Sequence, residues 1–188
     1  MLPAIVPALV GVLALTVGDG GLVVTSSGTA AAMKAVRAAT PVPCASPEHR
    51  QFDFWQGEWE VREEGHVAGT NRITRVLGGC ALREEWSGAG GGKGTSLNVY
   101  DTAQRRWHQT WVDDKGLVLL LEGEWRGGKM VLEGERPAPG GEGAARTTRE
   151  RITWTPQPSG RVRQLWESSS DAGKTWQVVF DGIYSKKI

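Results

Sequence analysis

Phe52-Asp53-Phe54-Trp55-Gln56-Gly57-Glu58-Trp59-Glu60-Val61 decides how the rest of the chain is read. The stretch holds two of the nine tryptophans and two of the three phenylalanines. Gly57 separates two patterns within it. Before Gly57, the aromatic residues Phe52, Phe54 and Trp55 are too dense for a half-exposed strand and read as an apolar plug. After it, Trp59 and Val61 alternate with Glu58, Glu60 and Arg62, the period of a strand with one wet face.

Downstream, the same period recurs between turn signals. Strands are expected at about Gly57 to Glu64, Asn71 to Leu77, Leu82 to Ser87, Thr95 to Tyr100 and Arg106 to Asp113. Five more follow, at Leu117 to Trp125, Lys129 to Arg136, Thr147 to Thr155, Arg161 to Ser168 and Trp176 to Tyr184. Gly88 to Gly94 reads as a flexible loop, too glycine-dense to pack, and Pro137 to Ala145 as a patternless loop. No βαβ period and no confident helix intervene. Ten hairpin-linked strands leave two exposed edges unless the sheet closes. The expected fold is therefore all-β, a single up-and-down antiparallel barrel, with a β-sandwich as the alternative.

Upstream, residues 1–44 read as a signal-like leader and linker, and 45–188 as the barrel domain. Leu2 to Val17 is apolar but short and broken by Pro3 and Pro7, which suits a secretory h-region better than a membrane span. Small residues Ala30-Ala31-Ala32 and Ala38-Ala39 follow. Against export, no Lys or Arg precedes the apolar run, and Lys34 is the first. Pro43 before Cys44 argues against lipidation. Cys44 and Cys80 are the two cysteines of the 188 residues. In an exported protein they read as one disulfide, and in a cytosolic one as two free thiols. A net charge of +1 with no basic run excludes broad steering toward nucleic acid or an anionic membrane. The 26 glycines mark tight turns, and tryptophan suits broad sheet surfaces.

Candidate chemistry lies on shared strand faces. Arg106-Trp107-His108-Gln109-Thr110-Trp111 and Arg161-Val162-Arg163-Gln164-Leu165-Trp166 share the spacing Arg-x-x-Gln-x-Trp. Alternation puts Gln109 with Trp111, and Gln164 with Trp166, on common faces. Facing inward, two amides and two indoles would form a site for a partly apolar small molecule, with Asn98 and Trp86 as further candidates. The alternative is two glutamines satisfying backbone groups in an ordinary core. Glu84 shares a face with Leu82 and Trp86. A buried carboxylate there calls for a partner such as Arg151 or Arg163, and would then be a candidate catalytic acid or base. Glu167 is a weaker version of the same case. His49, His66 and His108 lack ligand spacing, so no metal is expected, and His108 faces away from both neighbouring tryptophans. Ser169-Ser170-Asp171-Ala172-Gly173-Lys174-Thr175-Trp176 fits the Asp-box hairpin. One copy makes a turn rather than a propeller.

The aromatic stretch, Gly78-Gly79-Cys80, Gly94-Thr95-Ser96-Leu97-Asn98-Val99-Tyr100-Asp101, Trp107-His108-Gln109-Thr110-Trp111-Val112-Asp113 and Arg163-Gln164-Leu165-Trp166-Glu167 together resemble a bacterial family of unknown function. Its members are often exported and are regarded as lipocalin-like barrels. The resemblance spans about Cys44 to Tyr184 and implies the barrel, with no catalytic residue to carry over. Haem-binding nitrobindins, also calycin-like, carry Gly-x-Trp-x-Gly-x-Gly. Gly57-Glu58-Trp59-Glu60-Val61 lacks the later glycines, and no histidine stands as an axial ligand, so no haem or other cofactor is expected. Three functions follow as expectations. The chain is an exported binding protein for a small apolar or amphipathic molecule. Alternatively it is a barrel isomerase, cyclase or hydrolase using Glu84, or an envelope protein with a filled core.

Overall fold

A computed structural model describes residues 43–138 and 147–187; the leader and residues 139–146 of the Pro/Gly-rich loop lie outside the described residues. The strands are β1 (Gly57–Glu63), β2 (His66–Val76), β3 (Ala81–Gly88), β4 (Lys93–Asp101) and β5 (Arg106–Asp113). Then come β6 (Val118–Arg126), β7 (Lys129–Pro137), β8 (Thr147–Pro156), β9 (Val162–Ser169) and β10 (Gln177–Lys186). Each pairs antiparallel with its sequence neighbours, and β1 closes on β10 from Trp59↔Lys186 to Glu63↔Gly182. The sheet is thus a closed barrel of ten strands, not a sandwich. This is the arrangement implied by the resemblance. Among the described residues no helix is long and apolar enough to cross a membrane.

Alternation sorts the two sides of the wall. Trp59 and Val61 of β1 are buried, as are Ile152 and Trp154 of β8. Outside, cross-strand pairs such as Arg151–Glu167 at 3.0 Å and Arg163–Asp181 at 2.6 Å line the wall. Such partly wet pairs contribute about 0–1 kcal/mol each, so closure rests on the inner face.

One end of the barrel is sealed by the segment before β1. It forms two single 3₁₀ turns, Pro47–Arg50 and Asp53–Trp55. Phe52 stacks on Trp55 at 4.9 Å and meets Trp154 at 5.1 Å and Trp107 at 5.6 Å edge-on. The Trp59 indole N–H donates to the Trp55 carbonyl at 2.8 Å, which joins plug to wall. His49, expected on a linker, is buried against Tyr100 in the same plug. A Cys44–Cys80 disulfide fastens the start of the plug to the entry of β3, closing a loop with a sequence separation of 36.

Two turns correct or fill in the sequence reading. Gly88 to Gly94 is not a loose loop: Gly88 ends β3, Gly94 lies in β4, and only 89–92 turn. The Asp171 carboxylate accepts from the Thr175 backbone N–H and hydroxyl at 2.9 and 2.7 Å, while the Trp176 indole donates to the Gly173 carbonyl. Gly173 has a φ of +88°, as that hairpin requires.

Candidate functional site

Two of the depressions among the described residues differ in kind. The larger, about 790 Å³, is a trough on the outer wall among Arg106, His108, Glu122, Glu133 and Arg149. Its charged side chains already pair with one another across the strands, as Arg149 does with Glu133 at 3.4 Å. The smaller, about 200 Å³, lies inside the barrel at the end away from the plug. Its walls are Trp86, Trp111, Trp166, Phe180, Leu119 and Ile152, and its polar groups are Glu84, Gln109, Gln164 and Tyr184. The duplicated Gln-x-Trp pattern therefore does meet in one hollow, together with Trp86 and Glu84. Asn98 stands behind it, bonded to Gln109.

Glycines make room for the rings. Gly94 faces inward opposite Asp113 on β5, and a Cβ there would overlap the Trp111 indole. Gly182 stands in the same relation to Phe180. In both cases a ring occupies the space that a Cβ would need.

Glu84 is the focus of a polar network. Its Oε1 accepts from Asn71 Nδ2 at 2.7 Å and its Oε2 from the Ser96 hydroxyl at 2.7 Å. Ser96 Oγ in turn accepts from Asn98 Nδ2 at 2.9 Å, and Asn98 Oδ1 accepts from Gln109 Nε2 at 2.9 Å. Asn71 also donates to the Tyr184 oxygen at 3.3 Å, and the Tyr184 hydroxyl donates to Gln164 Oε1. The registers explain the meeting: Glu84 sits opposite Ser96, and Asn98 opposite Gln109, on adjoining strands.

The expected arginine partner of Glu84 is not there. Arg151 pairs with Glu167, and Arg163 pairs with Asp181, all on the outer wall. Arg151 and Arg163 alternate with the buried Ile152, Val162 and Gln164 and stand on the outer side, so neither arginine reaches the interior. Glu167 leaves the list of candidate acids for the same reason. The buried acid with an arginine is instead Glu150, which accepts from Arg136 at 2.7 Å and from the Trp166 indole N–H at 2.7 Å. Glu84 has neutral donors only.

Burial pushes the Glu84 carboxyl from the ordinary 4.5 up to about 7, against the hydrogen bonds from Ser96 and Asn71. Burial, and after it the nearby Glu84, raises the Tyr184 phenol well above its usual range. The folded state therefore holds the Glu84 proton more tightly than the unfolded chain does. The resulting stability is complete below 4.5 and is lost as pH rises through 7. The loss is on the order of 3 kcal/mol. Asp171 and Asp181 are held below their ordinary values by hydrogen bonds from Thr175 and Arg163, so their effects fall at lower pH. Urea unfolding at pH 5 and pH 8 is expected to show the decline in the wild type and its near-absence in Glu84→Gln. Parallel declines in both proteins would assign it elsewhere.

Asn71, Ser96, Tyr184 and Glu150 were not among the residues singled out from sequence. Ser96 had a signal, since it shares its face with Asn98. The other three are marked only by inward alternation. Among the described residues no group of three or more His, Cys, Asp or Glu could hold a metal ion. A scan of the sequence against protein-family models finds no match, and neither does a search of the curated proteins.

Proposed function

We propose that this barrel is an exported binding protein for a small, flat, largely apolar molecule with one polar end. The observation that carries the reading is the 200 Å³ hollow, walled by aromatic rings and ending on Glu84, Gln109 and Gln164. Apolar walls with a few convergent polar groups are the usual composition of a small-molecule site. A cavity of about 150 Å³ holds benzene, so this one suits about ten non-hydrogen atoms. An interior packed solid, as an envelope protein without a cavity would have, does not fit the hollow. The disulfide supports export, because such bonds persist in oxidising compartments. The resemblance of its ordered motifs to an often-exported barrel family points the same way.

A thermal-shift screen of bicyclic and monocyclic aromatic fragments, indole among them, tests the reading. A ligand at about 100 times its Kd is expected to stabilise the wild type by about 2.7 kcal/mol. Gln109→Ala and Gln164→Ala are expected to lose most of that gain. A screen in which nothing stabilises the barrel, or in which the variants gain as much, would count against the reading.

Catalysis is a second reading, favoured by one observation: a carboxyl with a pKa near 7 lines the hollow. Such a group exchanges protons readily at neutral pH, as a general acid or base in an isomerase, cyclase or hydrolase must.

A further inference from the structure

Among the described residues, the inner acid Glu84 has no charged partner, only Asn71 and Ser96. None of the described side chains lining the hollow is Lys, Arg or His. Arg136, a quarter exposed, is held by the buried Glu150. Acceptors outnumber donors as well. A carboxylate has about four acceptor sites, and Glu84 uses two of them, on Asn71 and Ser96. Gln109 commits its Nε2 to Asn98 and Ser96, and its buried Oε1 has no hydrogen-bond partner. The same network contains a second such acceptor, Asn71 Oδ1.

The direction of the donors is equally informative. Ser96 Oγ receives N–H groups from Asn98 and Gln109, so its own hydrogen goes to Glu84. Asn71 likewise presents its Nδ2. Both protein neighbours are thus set to donate to Glu84, the arrangement that suits the carboxylate rather than the neutral acid. The aromatic side chains of Trp86, Trp111, Trp166 and Phe180 line the remaining space. Aromatic faces attract cations through the ring quadrupole, and most strongly where water is excluded.

We propose that the ligand supplies the missing charge: the hollow takes an aromatic or aliphatic primary amine, bound as its ammonium ion, with the nitrogen at Glu84 and Gln109. This deepens the binding reading above and rests on it. An ammonium group presents three N–H donors, which matches two carboxylate oxygens and the Gln109 carbonyl. A buried ion pair is tolerated when its remaining hydrogen bonds are satisfied, and Asn71 and Ser96 satisfy the carboxylate side. The apolar body of the amine then lies between the tryptophans.

The proposal fixes the sign of a pH effect. Ammonium binding requires the ionised carboxylate, so a proton leaves Glu84 when the ligand enters below pH 7. The other titratable groups around it are Tyr184 on β10, which stays neutral, and Glu150 on β8, which Arg136 on β7 faces. Affinity for an ammonium ligand is therefore expected to rise about tenfold from pH 6 to pH 8. A neutral ligand accepting the Glu84 proton has the opposite trend.

Calorimetric or fluorescence titration with phenethylamine, 2-phenylethanol and phenylacetate separates the cases. At pH 8 phenethylamine is expected to bind at least tenfold more tightly than 2-phenylethanol, with phenylacetate weakest. Glu84→Gln is expected to bring the amine to within threefold of the alcohol. The pH dependence in the wild type needs no variant and stands if Glu84→Gln fails to fold. Equal affinity for amine and alcohol, or amine binding that weakens as pH rises, overturns the charge assignment while leaving the binding reading intact. Binding of none of the three, together with an empty fragment screen, overturns both.

Discussion

Replacing Cys44 and Cys80 together by serine is expected to cost about 4 kcal/mol, nearly half the stability of an ordinary domain. The bridge closes a loop with a sequence separation of 36, and in the chain-entropy model that length sets the figure. The cost extends beyond the unfolded state, because the bridge anchors the segment carrying the plug. Arg50 donates to the Cys44 carbonyl at 2.7 Å, and Arg75 to the Gly79 carbonyl at 3.2 Å, so both arms of the bridge are held by neighbours. Urea unfolding of the oxidised protein and the double-serine variant measures the effect. Midpoints that coincide would show that the plug holds itself in place.

Trp55→Ala is expected to destabilise by about 3–5 kcal/mol, the range for truncating a fully buried indole. For a barrel of this size that lowers Tm by roughly 10 °C or more. Trp55 is fully buried, stacked on Phe52 and 5.3 Å from Trp154, with Tyr184 at 6.3 Å behind it. The cavity left by its removal would lie between plug and polar network. Trp55→Phe is the control: it keeps the stack and removes an indole N–H that has no partner, so it is expected to cost less than half as much. In the double-serine background the alanine substitution is expected to cost less than in the wild type, since both act on one segment. Full additivity would mean that bridge and plug are independent.

The barrel was legible because alternation is a local property. Trp59 against Glu58 and Glu60, or Gln109 and Trp111 against His108, sorts residues into two faces without knowledge of any partner, and the closed sheet then decides which face is inner. Ten such segments joined by hairpin turns leave few topologies. Asn71 and Tyr184 were not legible as neighbours, since 113 residues separate them and only the β1–β10 closure brings them together. The fate of the two inner acids was hidden for the same reason. Glu84 and Glu150 both point inward, yet only Glu150 meets an arginine, because Arg136 lies on the adjoining strand. An arginine for Glu84 was expected on energetic grounds, and neutral donors took its place. Gly94 misled through composition: a glycine-rich run reads as loop, whereas here its last member gives Trp111 somewhere to lie.

Whether an uncompensated acid sits inside the barrel can be observed directly by following the side-chain carboxyl ¹³C resonance of Glu84 across a pH titration, assigned by its absence from Glu84→Gln. A midpoint near 7 that falls when phenethylamine is added is the predicted result. A midpoint at the ordinary 4.5, unmoved by the amine, would contradict the account.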